Sequence, residues 1–173
     1  MPLPTPSPAA LEVRRYQPGD HDAVWELHNL ALNQVGAHAG NGPWDDDLHN
    51  IDEVYLKSGG EFLVGCLAGR VVAMGALKRT GERRAQITRM RVHPECQRRG
   101  FGQAILSLLE ERARELGYHQ LHLDTTVQQT AAQELYLKNG YRQTGRTRYG
   151  RFEVLLFEKE LCGPTPSDCL SRP

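Results

Sequence analysis

Residues 92–103 read Val92-His93-Pro94-Glu95-Cys96-Gln97-Arg98-Arg99-Gly100-Phe101-Gly102-Gln103. The segment follows an alternating stretch, Arg84 to Val92, and precedes a helical one, Gly102 to Leu116. His93-Pro94 ends the strand, because proline cannot continue a central one. Two glycines let the backbone turn tightly and approach a ligand. The residues that follow carry the unpaired N–H groups of a helix N-terminus, which receive an anion, most often a phosphate. Arg98 and Arg99 add positive charge beside it. This is not a P-loop, since no G-x-x-x-x-G-K-[ST] string occurs, and not a dinucleotide loop, since Gln103-Ala104-Ile105 lacks the third glycine.

Outward from this segment, the helix is expected to bury Ile105, Leu108, Leu109 and Leu116, with Gly117 as its stop. In the preceding strand, alternation puts Ile87, Arg89 and Arg91 on one side and Thr88, Met90 and Val92 on the other. A strand at His119–Thr125 follows, then a helix at Thr130–Lys138 and a strand pair, Tyr141–Arg148 and Phe152–Leu161. Upstream lie a strand at Leu11–Tyr16 and a helix from Asp20 or Asp22 to Asn33 that buries Val24, Leu27, Leu30 and Ala31. Asp45-Asp46-Asp47 opens a second helix, and Glu61–Leu67 and Val71–Lys78 form a hairpin. A helical crossover joins the two central strands, so these run parallel. The chain is expected to be a mixed-sheet α/β domain over 11–161, with helices on both faces, between mobile tails at 1–10 and 162–173.

Two segments resemble motifs of one family. Gln97-Arg98-Arg99-Gly100-Phe101-Gly102 is similar to the Q/R-x-x-G-x-G/A motif of the GCN5-related N-acetyltransferases (GNAT). Ala132-Gln133-Glu134-Leu135-Tyr136-Leu137-Lys138-Asn139-Gly140-Tyr141 resembles that family's A-x-x-L-Y-x-x-x-G-F/Y segment. The resemblance spans Leu11 to Leu161 and implies a largely antiparallel sheet with one parallel central pair. It implies acetyl-CoA as co-substrate, held at the pyrophosphate by the backbone amides of Arg98, Gly100, Phe101, Gly102 and Gln103, with Gln97 and Arg99 also in the cofactor site. Met90 and Val92 would pair with the pantetheine through their backbones, and the Met90 amide would face the thioester oxygen, where negative charge develops. Tyr136 matches the general acid that protonates the leaving thiolate. Gln129 stands where many relatives carry Asn and keeps the amide's donor and acceptor. Gln86 stands where some relatives carry a glutamate base. The base therefore stays open among Asp124, His122, Glu26, His28 and a water chain.

The implied reaction is direct acetyl transfer, in a ternary complex, to the primary amine of a small acceptor. The alternatives are a non-catalytic acyl-CoA sensor and an enzyme for another acyl-CoA. Family members often dimerise, and the last strands offer edges, which leaves a homodimer open.

Charge constrains the partners. The 173 residues carry 21 bases and 21 acids. A neutral total argues against nucleic acid and against a polybasic membrane surface. The absence of a long apolar run argues against a membrane span. The N-terminus does not read as a secretory signal, and Cys66, Cys96, Cys162 and Cys169 form no C-x-x-C pair, which favours a cytoplasmic chain with free thiols. No histidine spacing points to a metal. The total nevertheless divides. Nine acids stand against Lys57 between Asp20 and Glu61, and eight bases against two acids between Lys78 and Arg99. The first stretch is expected to form an anionic rim for a cationic acceptor, the second to meet an anionic cofactor. Arg89, Arg146, Arg148 and Arg151 would instead suit an acceptor carboxylate.

Overall fold

The computed structural model describes residues 10–161. The expected tails therefore lie outside the described residues except for Ala10, as do Cys162 and Cys169. Seven strands form one sheet: β1 (Glu12–Arg15), β2 (Glu61–Leu67), β3 (Arg70–Arg79), β4 (Arg84–Val92), β5 (Gln120–Thr126), β6 (Arg142–Tyr149) and β7 (Phe152–Glu160), in the order β1-β2-β3-β4-β5-β7-β6. Only β4 and β5 run parallel. They are joined through α2 (Phe101–Glu115), as the crossover rule requires. Helix α1 (His21–Gln34) precedes β2, and α3 (Thr130–Lys138) follows β5.

Two apolar layers hold the sheet. On one face, Ile105, Leu106, Leu109 and Ala113 of α2 pack with Leu77, Ile87, Leu121, Leu123 and Phe157. On the other, Val24 and Leu27 of α1 pack with Leu48, Ile51, Tyr55, Phe62, Val64 and Met74. Helices therefore cover both faces. Leu30 and Leu108, both expected inside, are exposed. His28 takes the inward place on α1, while Leu106 and Ala113 complete the buried stripe of α2.

The expected second helix is not a regular one. Its place is taken by a 3-10 turn at Pro43–His49 and a π turn at Asp52–Leu56, interrupted at Asn50. Leu48, Ile51 and Tyr55 keep their buried spacing across that break. Asp45 also points inward, towards His28 and Arg89, so the acidic run is not a solvated first turn.

The strand beside the site departs from simple alternation. Arg89 takes a left-handed conformation (φ +56°), and the β3–β4 register shifts between Met74 and Ala76. Such a bulge puts two residues against one and reverses the side-chain phase beyond it. Ile87, Met90 and Val92 accordingly share the α2 layer, and the expected opposition of Ile87 to Met90 and Val92 is corrected. Gly75 lies opposite the bulge for a steric reason. A Cβ there would come within 2.5 Å of Met90 Sδ and 2.6 Å of Ile105 Cγ2.

Candidate active site

Strands β4 and β5 pair only from Arg84–Gln86 to Gln120–His122. Beyond that β4 runs on to Val92 and β5 to Thr126 without meeting. A cleft opens between them, and a cavity of about 370 Å³ fills its mouth. Met90, Gln129 and Tyr136 line it with Arg89, Arg91, Asp124 and His28.

The loop 93–100 stands at the end of β4. Pro94–Cys96 makes a 3-10 turn, with the Glu95 amide donating to His93 Nδ1. Arg98 (φ +61°) and Gly100 (φ +81°) are left-handed, which turns successive amides to one side. Helix α2 then begins at Phe101 with no side chain capping it. Its first amides are free for a ligand. Arg98 and Arg99 are exposed, and the Arg99 guanidinium stacks 4.9 Å from the Phe101 ring centroid. Gln97 donates to Val92 O at 3.3 Å and to Gln34 Oε1 at 2.8 Å, tying the loop to α1. Gln103 and Asn139 exchange two 2.8 Å amide bonds, which fix α3 against the start of α2. Met90 and Val92 belong to the part of β4 that has left β5, and Arg91 Nη1 donates to Met90 O at 2.7 Å.

Tyr136 lies on α3 between Tyr141 and Phe157, with ring centroids 5.6 and 6.2 Å away. Burial lifts its phenol to about 12, against a smaller downward pull from Arg91. Gln129 Oε1 accepts from Thr125 Oγ1, Thr126 Oγ1 and the Thr126 amide at 3.1–3.2 Å, so this side chain pins the β5–α3 turn.

Of the candidate bases, two line the cavity and two do not. His122 bonds Thr80 Oγ1 at 2.8 Å where β4 and β5 are still paired, and Glu26 is exposed on α1. Asp124 lines the cavity, and burial raises its carboxyl above the usual range. His28 is buried, with Nε2 3.1 Å from Asp45 Oδ1 and Nδ1 without a partner. Burial, reinforced by Arg91 and Arg89, holds its imidazole far below the ordinary 6.5. A depressed histidine gives stability that is present above 6.5 and lost as pH falls towards the folded value. Unfolding free energy measured in urea should therefore decline from pH 6.5 downward, and His28→Gln should flatten that slope. An equal slope in the variant would exclude His28 as its source.

The charge blocks look different in space. Asp20 is bound by Arg14, Glu61 by Arg15 and Arg112, Glu53 by Lys57, and Asp45 and Asp47 by Arg89. Five of the nine acids are thus matched, and Asp22, Glu26, Asp46 and Asp52 have no arginine or lysine partner among the described residues. In the basic block, Arg84 pairs with Glu158 and Arg89 with the two aspartates, leaving Arg98 and Arg99 at the loop. Of the other arginines considered for a carboxylate, Arg146 pairs with Glu153 and Arg151 donates to His38 O. The residue that sequence reasoning passed over is Arg91. Its guanidinium lines the cavity, and burial lowers it to about 10.

A second, more open groove of about 600 Å³ lies beyond Arg89. Both spaces share Trp44, Gln86, Thr88 and Arg89, so the Arg89 side chain with Trp44 forms the partition between them.

The model of the acetyltransferase (GNAT) family matches residues 21–141. The chain belongs to this family. Among relatives, the "IAA acetyltransferase" of Azospirillum brasilense is 34% identical over 126 residues, which are 72% of this chain and 80% of that one. Human N-acetyltransferase 8 is 33% identical over 107 residues, 58% of this chain and 47% of its own. The chain thus spans about half the length of the first curated relatives it matches. The yncA protein of Salmonella typhimurium, whose solved structure holds its cofactor acetyl-CoA, superposes with a TM-score of 0.73 at 22% identity, over 90% of this chain and 96% of that one. The GNAT fold and its element order agree with what the two motifs implied. Among the described residues no group of three His, Cys, Asp or Glu side chains is placed to hold a metal, and no helix is long and apolar enough to cross a membrane.

Proposed function

We propose that this GNAT chain transfers acetyl from acetyl-CoA to the primary amine of a small acceptor, directly, in a ternary complex. One observation carries the reading: β4 leaves β5 beyond Gln86, the uncapped α2 follows the end of β4, and the buried Tyr136 lines the cavity in the opening. The pyrophosphate would meet the amides of Arg98 to Gln103, with Gln97 and Arg99 holding the loop's shape. The pantetheine would run along Met90 and Val92, and Gln129 would steady the cleft wall.

In the reaction the amine nitrogen attacks the thioester carbon, and the carbonyl oxygen takes up charge facing the Met90 amide. The C–N bond forms and the C–S bond breaks. Tyr136 gives its proton to the departing sulfur and regains one from the nitrogen through water, so the balance closes without a cofactor redox step. A small soluble acceptor, a cytoplasmic setting and a homodimer through the β6 edge all belong to this proposal. Three arginines on β6 (Arg142, Arg146, Arg148) would have to be accommodated at that edge.

Gly102→Asp tests the donor site. A Cβ at Gly102 meets Leu135 Cδ2 at 3.5 Å and Val92 Cγ2 at 3.7 Å, ordinary contacts. An acid also suits a helix's first turn, so the fold is expected to stand. The same charge would repel a pyrophosphate. Calorimetry should show acetyl-CoA affinity falling at least tenfold, about 1.4 kcal/mol, with Tm unchanged. Unaltered affinity would remove the α2 amides from the donor site. A thiol-release screen with acetyl-CoA over a panel of amines tests the transfer itself, and CoA binding without turnover of any amine would favour the sensor reading.

A further inference from the structure

Two charges face the cavity without a contacting counter-ion. Arg91 on β4 gives Nη1 to Met90 O, its Nε is buried with no partner, and no carboxylate among the described residues lies within ion-pair distance of it. Asp124, on β5 across the cleft, lines the same space, is exposed to solvent there, and is likewise outside any ion pair among the described residues. Of the other groups on the wall, His28 Nδ1 also lacks a partner, whereas Arg89 and His38 are committed. Arg89 is committed to Asp45, Asp47 and Trp44 O, and His38 bonds Asn29 Oδ1 and the Gly40 amide. Arg91 and Asp124 feel each other's field but do not meet. An unmatched guanidinium in a poorly solvated site is costly, and a planar carboxylate is its best partner. An aspartate facing the same space suits an ammonium.

We infer that Arg91 and Asp124 form a cradle for a zwitterion, so that the acceptor is an amine that also carries a carboxylate, an α-amino acid or a derivative with both groups free. This rests on the acetyl-transfer reading and narrows its substrate class. Arg91 takes the carboxylate through its outer guanidinium nitrogens, and Asp124 holds the amine from β5, across the cleft. The cavity volume suits a small ligand of this kind. The cradle also replaces the anionic rim as the source of acceptor preference. A purely cationic amine would satisfy Asp124 and leave Arg91 unmatched.

The experiment uses the full chain with acetyl-CoA and a set of α-amino acids, each beside its amide and its decarboxylated amine. The amino acids should exceed both analogues at least tenfold in kcat/KM, chiefly through KM. In Arg91→Gln that ratio should collapse to within about twofold, while Arg91→Lys should keep part of it. Asp124→Asn should weaken all amine-bearing ligands, whether or not they carry a carboxylate. Equal use of acid and amide by the native chain, or a ratio that survives Arg91→Gln, overturns the cradle. So does a loss of acetyl-CoA affinity in Arg91→Gln as large as the loss for the amino acid, because Arg91 would then serve the donor. Calorimetry of amino acid against amide, with CoA bound, decides the cradle even where nothing turns over. Selective amino-acid binding without turnover would uphold the cradle and end the acetyl-transfer reading, and equal binding would end the cradle. Melting temperature and acetyl-CoA affinity report whether each variant folds, and Arg91→Lys and Asp124→Asn keep the test standing if Arg91→Gln does not.

Discussion

Tyr136→Phe is expected to lower kcat by about 10²–10³-fold, within the roughly 10²–10⁴-fold range for losing a positioned proton donor, with acetyl-CoA affinity held within about twofold. The ring is what packs, against Tyr141 and Phe157, and phenylalanine keeps it. The hydroxyl is what the reaction would use. Burial holds the phenol at about 12, so it is protonated at every working pH and contributes no limb to the rate profile below pH 10. On ordinary values such a phenol is a weaker acid than a thiol near 8.5. The comparison changes inside the cleft, because the burial that raises the phenol also raises the thiol of the departing CoA. Arg91 acts in the useful direction by stabilising the tyrosinate that forms. Rapid-quench or thiol-release kinetics with saturating acetyl-CoA measure the loss. A variant within threefold of the native kcat would show that water protonates the thiolate and that Tyr136 only packs.

Much of this architecture is legible because its determinants are local. His93-Pro94 must end a strand, and Gly100 and Gly117 occupy left-handed positions that glycine adopts without strain, so β4, the loop and α2 fall where the residues place them. The parallel β4–β5 pair follows from one crossover. What was illegible depended on distant partners. The bulge at Arg89 leaves no mark in the alternating pattern, yet one extra residue reverses the phase of Met90 and Val92. The acids at 45–47 read as a helix start because their partner, Arg89, stands more than forty residues away. Arg91 stayed hidden for the same reason. In sequence it is one base in a run of eight, and only the strand's geometry shows that the others have been claimed by Asp47, Glu158 or solvent, while this one faces a cavity.

Arg89→Met is expected to destabilise the fold by about 3–5 kcal/mol, the cost of leaving buried charge unmatched. That is a large part of the roughly 5–15 kcal/mol that holds a domain together. Arg89 Nε donates to Asp47 Oδ2 at 2.9 Å, Nη2 to Asp47 Oδ1 and to Trp44 O at 2.7 Å, and Nη1 reaches Asp45 Oδ1 at 3.5 Å. Tyr55 donates to the same Asp47 carboxylate. Arginine holds this place although its backbone is left-handed, at a cost of about 1–2 kcal/mol for a side chain with Cβ. The side-chain bonds must therefore outweigh the strain. Methionine keeps the strain and loses the bonds, leaving Asp45 and Asp47 without their cation. Adding Asp45→Asn and Asp47→Asn removes the orphaned charges, so the triple variant should recover more than half of the loss in urea unfolding. The change also reaches His28. Arg89 is one of the groups that depress it, and with Arg89 gone only Arg91 and burial oppose protonation, while Asp45 favours it. The His28 resonance should then titrate at higher pH than in the native chain, and the acid slope of stability should begin nearer neutrality. A destabilisation below about 1 kcal/mol, with the His28 titration unmoved, would mean that solvent already screens the Arg89 pairs and that the wall between cavity and groove is held by packing alone.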